Sequence, residues 1–218
     1  MKTQKRVFGW AEAIFDILYL LTAAFIGLWL LQAKGSAIQT SAGAAALLLA
    51  TGDAFHLLPR ISAILTRREQ ALAKAMGFGK LVTSITMTFF YLLLWQLGLE
   101  LFSPNLQPGW SLLVYGLGAL RILLCLFPQN RWLDRHPPLR WGIYRNIPFL
   151  LIGLGVAALF TAHRGSVPAA DGMGPAILLS FAFYLPVVLW ADKKPKLGML
   201  MLPKTCAYLW MLFMFLSL

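Results

Sequence analysis

The stretch SAGAAALLLATGDAFHLLPRISAI, residues 41–64, decides how the chain is read. As a helix it rises 1.5 Å per residue and reaches roughly 36 Å, more than the ~30 Å hydrocarbon core of a bilayer. Its ionisable residues, Asp53, His56 and Arg60, all fall toward its end. An acid and an imidazole inside a run of that length are costly unless they turn away from lipid.

Composition extends the same reading to the whole chain. Of 218 residues, 59% are hydrophobic and 12% charged, and the mean hydropathy is positive, a balance that points to an integral membrane protein. Cut at its charged, Pro-rich and Gly-rich punctuation, the chain yields seven apolar segments: 10–31, 41–64, 76–102, 110–128, 147–163, 172–191 and 197–218. The expected fold is all-α, a single seven-helix transmembrane domain over residues 1–218. The first segment carries Glu12 and Asp16 and is long for the apolar core of a signal peptide, so it is read as a retained helix, a six-span mature chain being the alternative. Thr66 and Glu69 in TRRE have capping-box spacing and predict that the third helix starts before its apolar segment. Pro59 is read as a terminating kink near the end of the second helix. Cys125 and Cys206 both lie in apolar runs and read as buried thiols, not a disulfide framework.

Lysine and arginine set the expected orientation. Fifteen of the 19 fall at the N-terminus and in alternate loops: Lys2, Lys5 and Arg6; Arg60, Arg67, Arg68, Lys74 and Lys80; Arg131, Arg135, Arg140 and Arg145; Lys193, Lys194 and Lys196. The opposite connections hold Lys34 and Arg164, and Arg121 and Lys204 lie within spans. The positive-inside rule then places the N-terminus in the cytoplasm and the C-terminus outside. It also accounts for the isoelectric point near 10 without nucleic acid. The expected location is the cell, or inner, membrane, with lipids as partners.

Asp16, Arg121 and Lys204 fall six or seven residues from the cytoplasmic ends of their segments and Asp53 seven residues before Arg60, so each is about 10 Å deep. Four helices thus bring two acids and two bases to one depth, a set able to neutralise itself. Helical spacing adds companions: Glu12, Asp16 and Tyr19; Asp53, His56 and Arg60; Ser84, Thr88 and Tyr91; Lys204 and Tyr208. These stripes predict a polar cavity facing the cytoplasm, with Arg60 and Lys80 at its mouth and Gly77 and Gly79 allowing close backbone approach. The expected site has Asp53 and His56 as catalytic groups, and Asp16, Arg60, Lys80, Arg121, Lys204 and Tyr208 as binding groups. Duller readings stand beside these: two structural ion pairs for the four charges, an interface-snorkelling Arg60, and a His56 that is a satisfied polar residue.

No metal and no cofactor are expected. His136 and His163 belong to opposite sides and cannot readily join His56 in a zinc site. Lys204 invites a retinal reading, but the third segment carries no mid-membrane acid to serve as counterion.

Gly52-Asp53 followed by Leu57-Leu58-Pro59-Arg60 resembles the GD-x-x-x-LLPR-like signature of the YhhN, or lysoplasmalogenase-like, membrane proteins. The resemblance is local, about a fifth of the chain, and implies hydrolysis of the vinyl-ether bond of lysoplasmalogens, with Asp53 as the one acid carried over. The chain departs from that family's eight spans, lacks its histidine on the third helix, and has no second acid inside the sixth, Asp192 lying at that segment's end. Cleaving a vinyl ether needs an acid that protonates carbon, a role open to Asp53 if no cation pairs with it. In that scheme His56 delivers a water and Arg60 or Lys80 holds the headgroup phosphate. The rival class is a transporter or ligand-binding protein for a small zwitterion or anion, to which Pro59, Pro148, Pro186 and Pro203 would lend broken helices. Gln96, Glu100 and His163 are sparse as a polar route to the outside.

Overall fold

The computed structural model describes the chain apart from Met1, Lys34 and Arg135, with the side chains of residues 2–8 and of Pro195 also outside it. Of the charges counted above, Lys2, Lys5, Arg6, Lys34 and Arg135 therefore lie outside the described side chains. Among the described residues the secondary structure is helical throughout: α1 (Lys2–Gln32), α2 (Ala37–Thr66), α3 (Glu69–Phe102), α4 (Pro108–Leu126), α5 (Leu139–Ala162), α6 (Met173–Trp190) and α7 (Met201–Phe215), with short 3-10 turns between some of them. Seven helical segments are long and apolar enough to cross a membrane, so this is the architecture of a multi-pass membrane protein.

Sequence neighbours pack as spatial neighbours from α1 to α7. The ring closes where α7 meets α1 and α2, while α3 also touches α5 and leaves α4 against their outer seam. Large apolar side chains such as Phe25, Trp29, Leu112, Leu113 and Phe213 cover the outside. Trp10, Trp110 and Trp190 stand exposed near helix ends, where amphipathic rings favour a membrane–water interface.

Small residues bring α2 close to both neighbours. Ala42, Gly43, Ala45, Ala46, Ala50 and Gly52 are buried, and short side chains let helices gain van der Waals contact where lipid offers no hydrophobic drive. A side chain at Gly52 would collide with Thr86, and one at Gly79 with the backbone of Phe55 and His56. The second contact has a local cause. Pro59 has no N–H to give the carbonyl four residues back, that of Phe55, and α3 passes directly over that oxygen because Gly79 has no Cβ.

Several boundary expectations need correction. Pro59 does not end α2, which continues to Thr66; the lost hydrogen bond is a small part of a 30-residue helix held on two sides. Thr66 does not cap α3: its hydroxyl donates to the Ser62 carbonyl at 2.7 Å, and the N-cap of α3 is Arg68, with no side-chain bond. The third helix nonetheless begins at Glu69, ahead of its apolar segment. The fifth begins at Leu139, not 147, because its first two turns carry Arg140 and Arg145, which a hydropathy reading assigns to a loop. Cys125 is buried as expected, but Cys206 is exposed on α7, and both are free thiols.

Candidate functional site

The polar stripe of α1 meets that of α2. Tyr19, fully buried, donates its hydroxyl to Oδ2 of Asp53 at 2.7 Å, and no hydrogen bond among the described residues occupies Oδ1. One turn toward the N-terminus, Asp16 is only 5% exposed and its Oδ2 finds no partner. Glu12 lies a further turn away and is bonded by Nε of Arg60.

Across from this acidic pair stands α7. Lys204 is 7% exposed, with Nζ 4.5 Å from the ring centre of Tyr208 and 5.5 Å from that of Tyr184. It is the main positive charge acting on Asp53, although the two lie beyond the 4.0 Å of an ion pair. Arg121 on α4 is 2% exposed. Its guanidinium carbon sits 3.3 Å from the centre of the Phe149 ring, and its Nε and Nη1 have no hydrogen-bond acceptor. Arg121 also acts on Lys204, so the two cations share one field.

Aromatic rings knit these groups together. Tyr91 packs edge-on against Phe149 at 5.0 Å, Phe90 against Tyr208 at 5.9 Å and Phe149 against Tyr184 at 6.0 Å. The neighbouring polar atoms are already engaged. Tyr91 and Ser180 share a hydrogen bond at 3.2 Å, Ser180 donates to the Ile177 carbonyl, Tyr184 donates to Oδ1 of Asn146 at 2.9 Å, and Asn146 donates to the Gly142 carbonyl.

The end of α4 is clamped by groups from the following loop and α5. Nδ2 of Asn130 donates to the carbonyls of Leu124 at 2.6 Å and Phe127 at 2.8 Å, and Nε1 of Trp132 to that of Cys125 at 2.9 Å. These are the last carbonyls of a helix, which have no partner within it. Arg145 then lies 4.1 Å over the Trp132 ring and donates to Oδ1 of Asn130 at 2.8 Å. The clamp holds the last turn of α4, and with it Arg121 one turn earlier.

The structure thus gathers Asp16, Asp53 and Tyr208 around Tyr19, with Lys204 beside Tyr208 and Tyr184 and in the field of Asp53, and Arg121 over Phe149. Three other candidates go elsewhere. His56 is not hydrogen-bonded to Asp53; its Nδ1 faces the Met76 carbonyl at 3.4 Å. A carbonyl can only accept, so in the neutral ring that nitrogen carries the proton and Nε2 keeps its lone pair. Arg60 is taken by Glu12, and Lys80 is exposed on α3, in the field of Arg60 and Arg145. Nor do the four inner charges form two ion pairs. Ion pairs among the described residues are Arg60 with Glu12 and Arg131 with Asp134, and Nδ1 of His136 is hydrogen-bonded to Oδ1 of Asp192 at 2.9 Å; the inner cations rest on aromatic faces instead. At the other end of the bundle Glu100 accepts from Ser41 and Gln96, and Gln96 accepts from Tyr115.

Sequence reasoning missed Phe149, Tyr184, Asn146 and Asn130. The two aromatics sit in segments full of apolar residues and carry no signal of their own. The two asparagines fell in stretches cut off as loop, where polar residues are unremarkable.

Among the described residues no group of three or more His, Cys, Asp or Glu side chains is placed to hold a metal ion. No protein-family model matches the chain, and no curated protein or solved structure is significantly similar to it.

Proposed function

We propose that this protein is a hydrolase of the cell membrane that draws a lipid-derived substrate into the polar interior of its helix ring from the cytoplasmic side, and that Asp53 is its acid. The observation that carries this reading is the state of the Asp53 carboxyl: Tyr19 holds Oδ2, and among the described residues Oδ1 is unclaimed and no cation pairs with it within 4.0 Å. A carboxylic acid held by a donor on one oxygen is free to carry its proton on the other. The resemblance at Gly52-Asp53 and Leu57–Arg60 to the lysoplasmalogenase-like membrane proteins points the same way and names the bond.

For a lysoplasmalogen the step balances simply. Asp53 gives its proton to the outer carbon of the vinyl ether, and the inner carbon becomes an oxocarbenium ion. Water adds there, losing a proton that restores Asp53, and the hemiacetal collapses to a fatty aldehyde and a glycerophospholipid alcohol.

A carrier or binding protein for a small anion or zwitterion is the competing reading, favoured by Nε and Nη1 of Arg121, which have no acceptor among the described residues. Hydrolysis of lysoplasmalogen in detergent micelles by the purified chain separates the two. Turnover is expected, and Asp53→Asn is expected to lower it by at least about 100-fold, the scale of a lost general acid. Substrate counterflow in vesicles without product would sink the enzyme reading.

A further inference from the structure

Every buried polar side chain in the core can be asked where its hydrogen bonds go. Asn130, Asn146, Ser180 and Thr88 all have partners. Among the described residues, atoms with none are Oδ2 of Asp16 and Nε and Nη1 of Arg121.

Arg121 is the more demanding of the two. A guanidinium stays charged and carries five N–H donors in a fixed fork. The Phe149 ring below it accepts charge but offers no oxygen. No neighbouring oxygen among the described residues accepts from Nε or Nη1 of Arg121; Tyr184 is turned to Asn146 and Tyr91 to Ser180. Lys204, which feels the charge of Arg121, is likewise without an ion pair and rests on the rings of Tyr208 and Tyr184. Two cations from α4 and α7, buried in a shared field, have no carboxylate within 4.0 Å of either among the described residues.

From this geometry we infer that Arg121 and Lys204 form a binding site for a phosphate group, whose anionic oxygens are shared between the Arg121 fork and the Lys204 ammonium. The two anionic oxygens of a phosphodiester each carry several lone pairs and can accept from the fork and the ammonium together, and a phosphate monoester or free phosphate adds a further oxygen and a second charge. The assignment rests on the reading of the core as a ligand site and changes its layout. Arg60, bound to Glu12, and Lys80, exposed, do not hold the phosphate; the deeper pair does. A phosphate at Lys204 also lies next to Asp53, so the anchor and the acid face the same ligand.

Isothermal titration of the full-length protein, purified in phosphate-free detergent, tests the inference with three probes: inorganic phosphate, lysophosphatidylethanolamine and the phosphate-free monoacylglycerol. Lysophosphatidylethanolamine is expected to bind at least about tenfold more tightly than monoacylglycerol, the worth of a charge-assisted contact. Inorganic phosphate binding comparably would mark free phosphate as a ligand, and phospholipid binding alone would mark the headgroup; either supports the site. Arg121→Gln and, independently, Lys204→Met are each expected to weaken the phosphate-bearing probe at least about tenfold while leaving monoacylglycerol unchanged. If Arg121→Gln fails to elute as a folded monodisperse species, Lys204→Met and the three-probe comparison decide. Equal affinity for the phospholipid and monoacylglycerol, or full affinity in a folded Arg121→Gln protein, would overturn the site. Failure of the hydrolase reading looks different: the wild type and Asp53→Asn would both bind the phospholipid and neither would cleave any lysoplasmalogen.

Discussion

Arg121 and Lys204 are both buried, and both are met by aromatic faces instead of carboxylates. The balance at Arg121 can be judged by magnitude. A cation over a desolvated ring gains about 2 kcal/mol, while burying an ion without a full set of partners costs several, so the side chain is a net burden on the ligand-free protein. Arg121→Met keeps much of the length and removes the charge. It is expected to leave stability unchanged or raise it by about 1–3 kcal/mol, the penalty of unsatisfied buried donors, read as the denaturation midpoint in detergent without phosphate or lipid. A loss of that size would show that the wild-type guanidinium is satisfied within the protein. The charges of this layer were legible in the sequence because each interrupts an apolar run. Their partners were not. Phe149 and Tyr184 are two aromatics among many, and the bond from Arg60 to Glu12 crosses 48 positions, a pairing fixed by how α1 and α2 are rotated against each other.

At the scale of elements, the α2–α3 contact is the one most dependent on single residues. Gly79 lies against the backbone of Phe55 and His56, two residues on the turn that also carries Asp53, so this contact sets the rotation of the Asp53 face. Gly79→Leu is expected to push the helices apart, lowering the midpoint by the equivalent of about 3 kcal/mol or more, and to reduce turnover through misplacement of Asp53. Gly116 on α4 has nothing within 4 Å of an added Cβ, and Gly116→Ala is expected to be neutral or stabilising by up to about 1 kcal/mol through helix propensity. Equal effects of the two changes would refute the idea that the α2–α3 seam is the close one. The role of Gly77 and Gly79 in close approach could be read from the sequence because both are spaced within one helix beside a charge. Helix ends were harder. The start of α5 was misplaced since Arg140 and Arg145 look like loop, yet Arg145 is held by Trp132 and Asn130 and belongs to the helix.

For the whole molecule, the number of spans and their order along the chain were legible because each span must be long and apolar on its own, a local property. The closure of α7 onto α1 and α2 was not, since it depends on rotations and tilts that hydropathy leaves open. If all seven apolar helices cross, residues on either side of the bundle alternate along the chain, and the positive-inside rule then predicts which side is cytoplasmic. Moving short positively charged loops across a membrane is disfavoured, and Arg67, Arg68 and Lys74 cluster in and beside the α2–α3 connection, whereas the α5–α6 connection holds the single Arg164. In a background with Cys125→Ala and Cys206→Ala, a cysteine placed by Arg164→Cys is therefore expected to react with a membrane-impermeant maleimide in intact cells. Arg68→Cys is expected to react only after the membrane is opened. The reverse pattern would turn the bundle over and place the charged layer, which lies toward the Arg60 and Lys80 end, on the outer side. It would thereby remove the cytoplasmic route by which a lipid is proposed to reach Asp53.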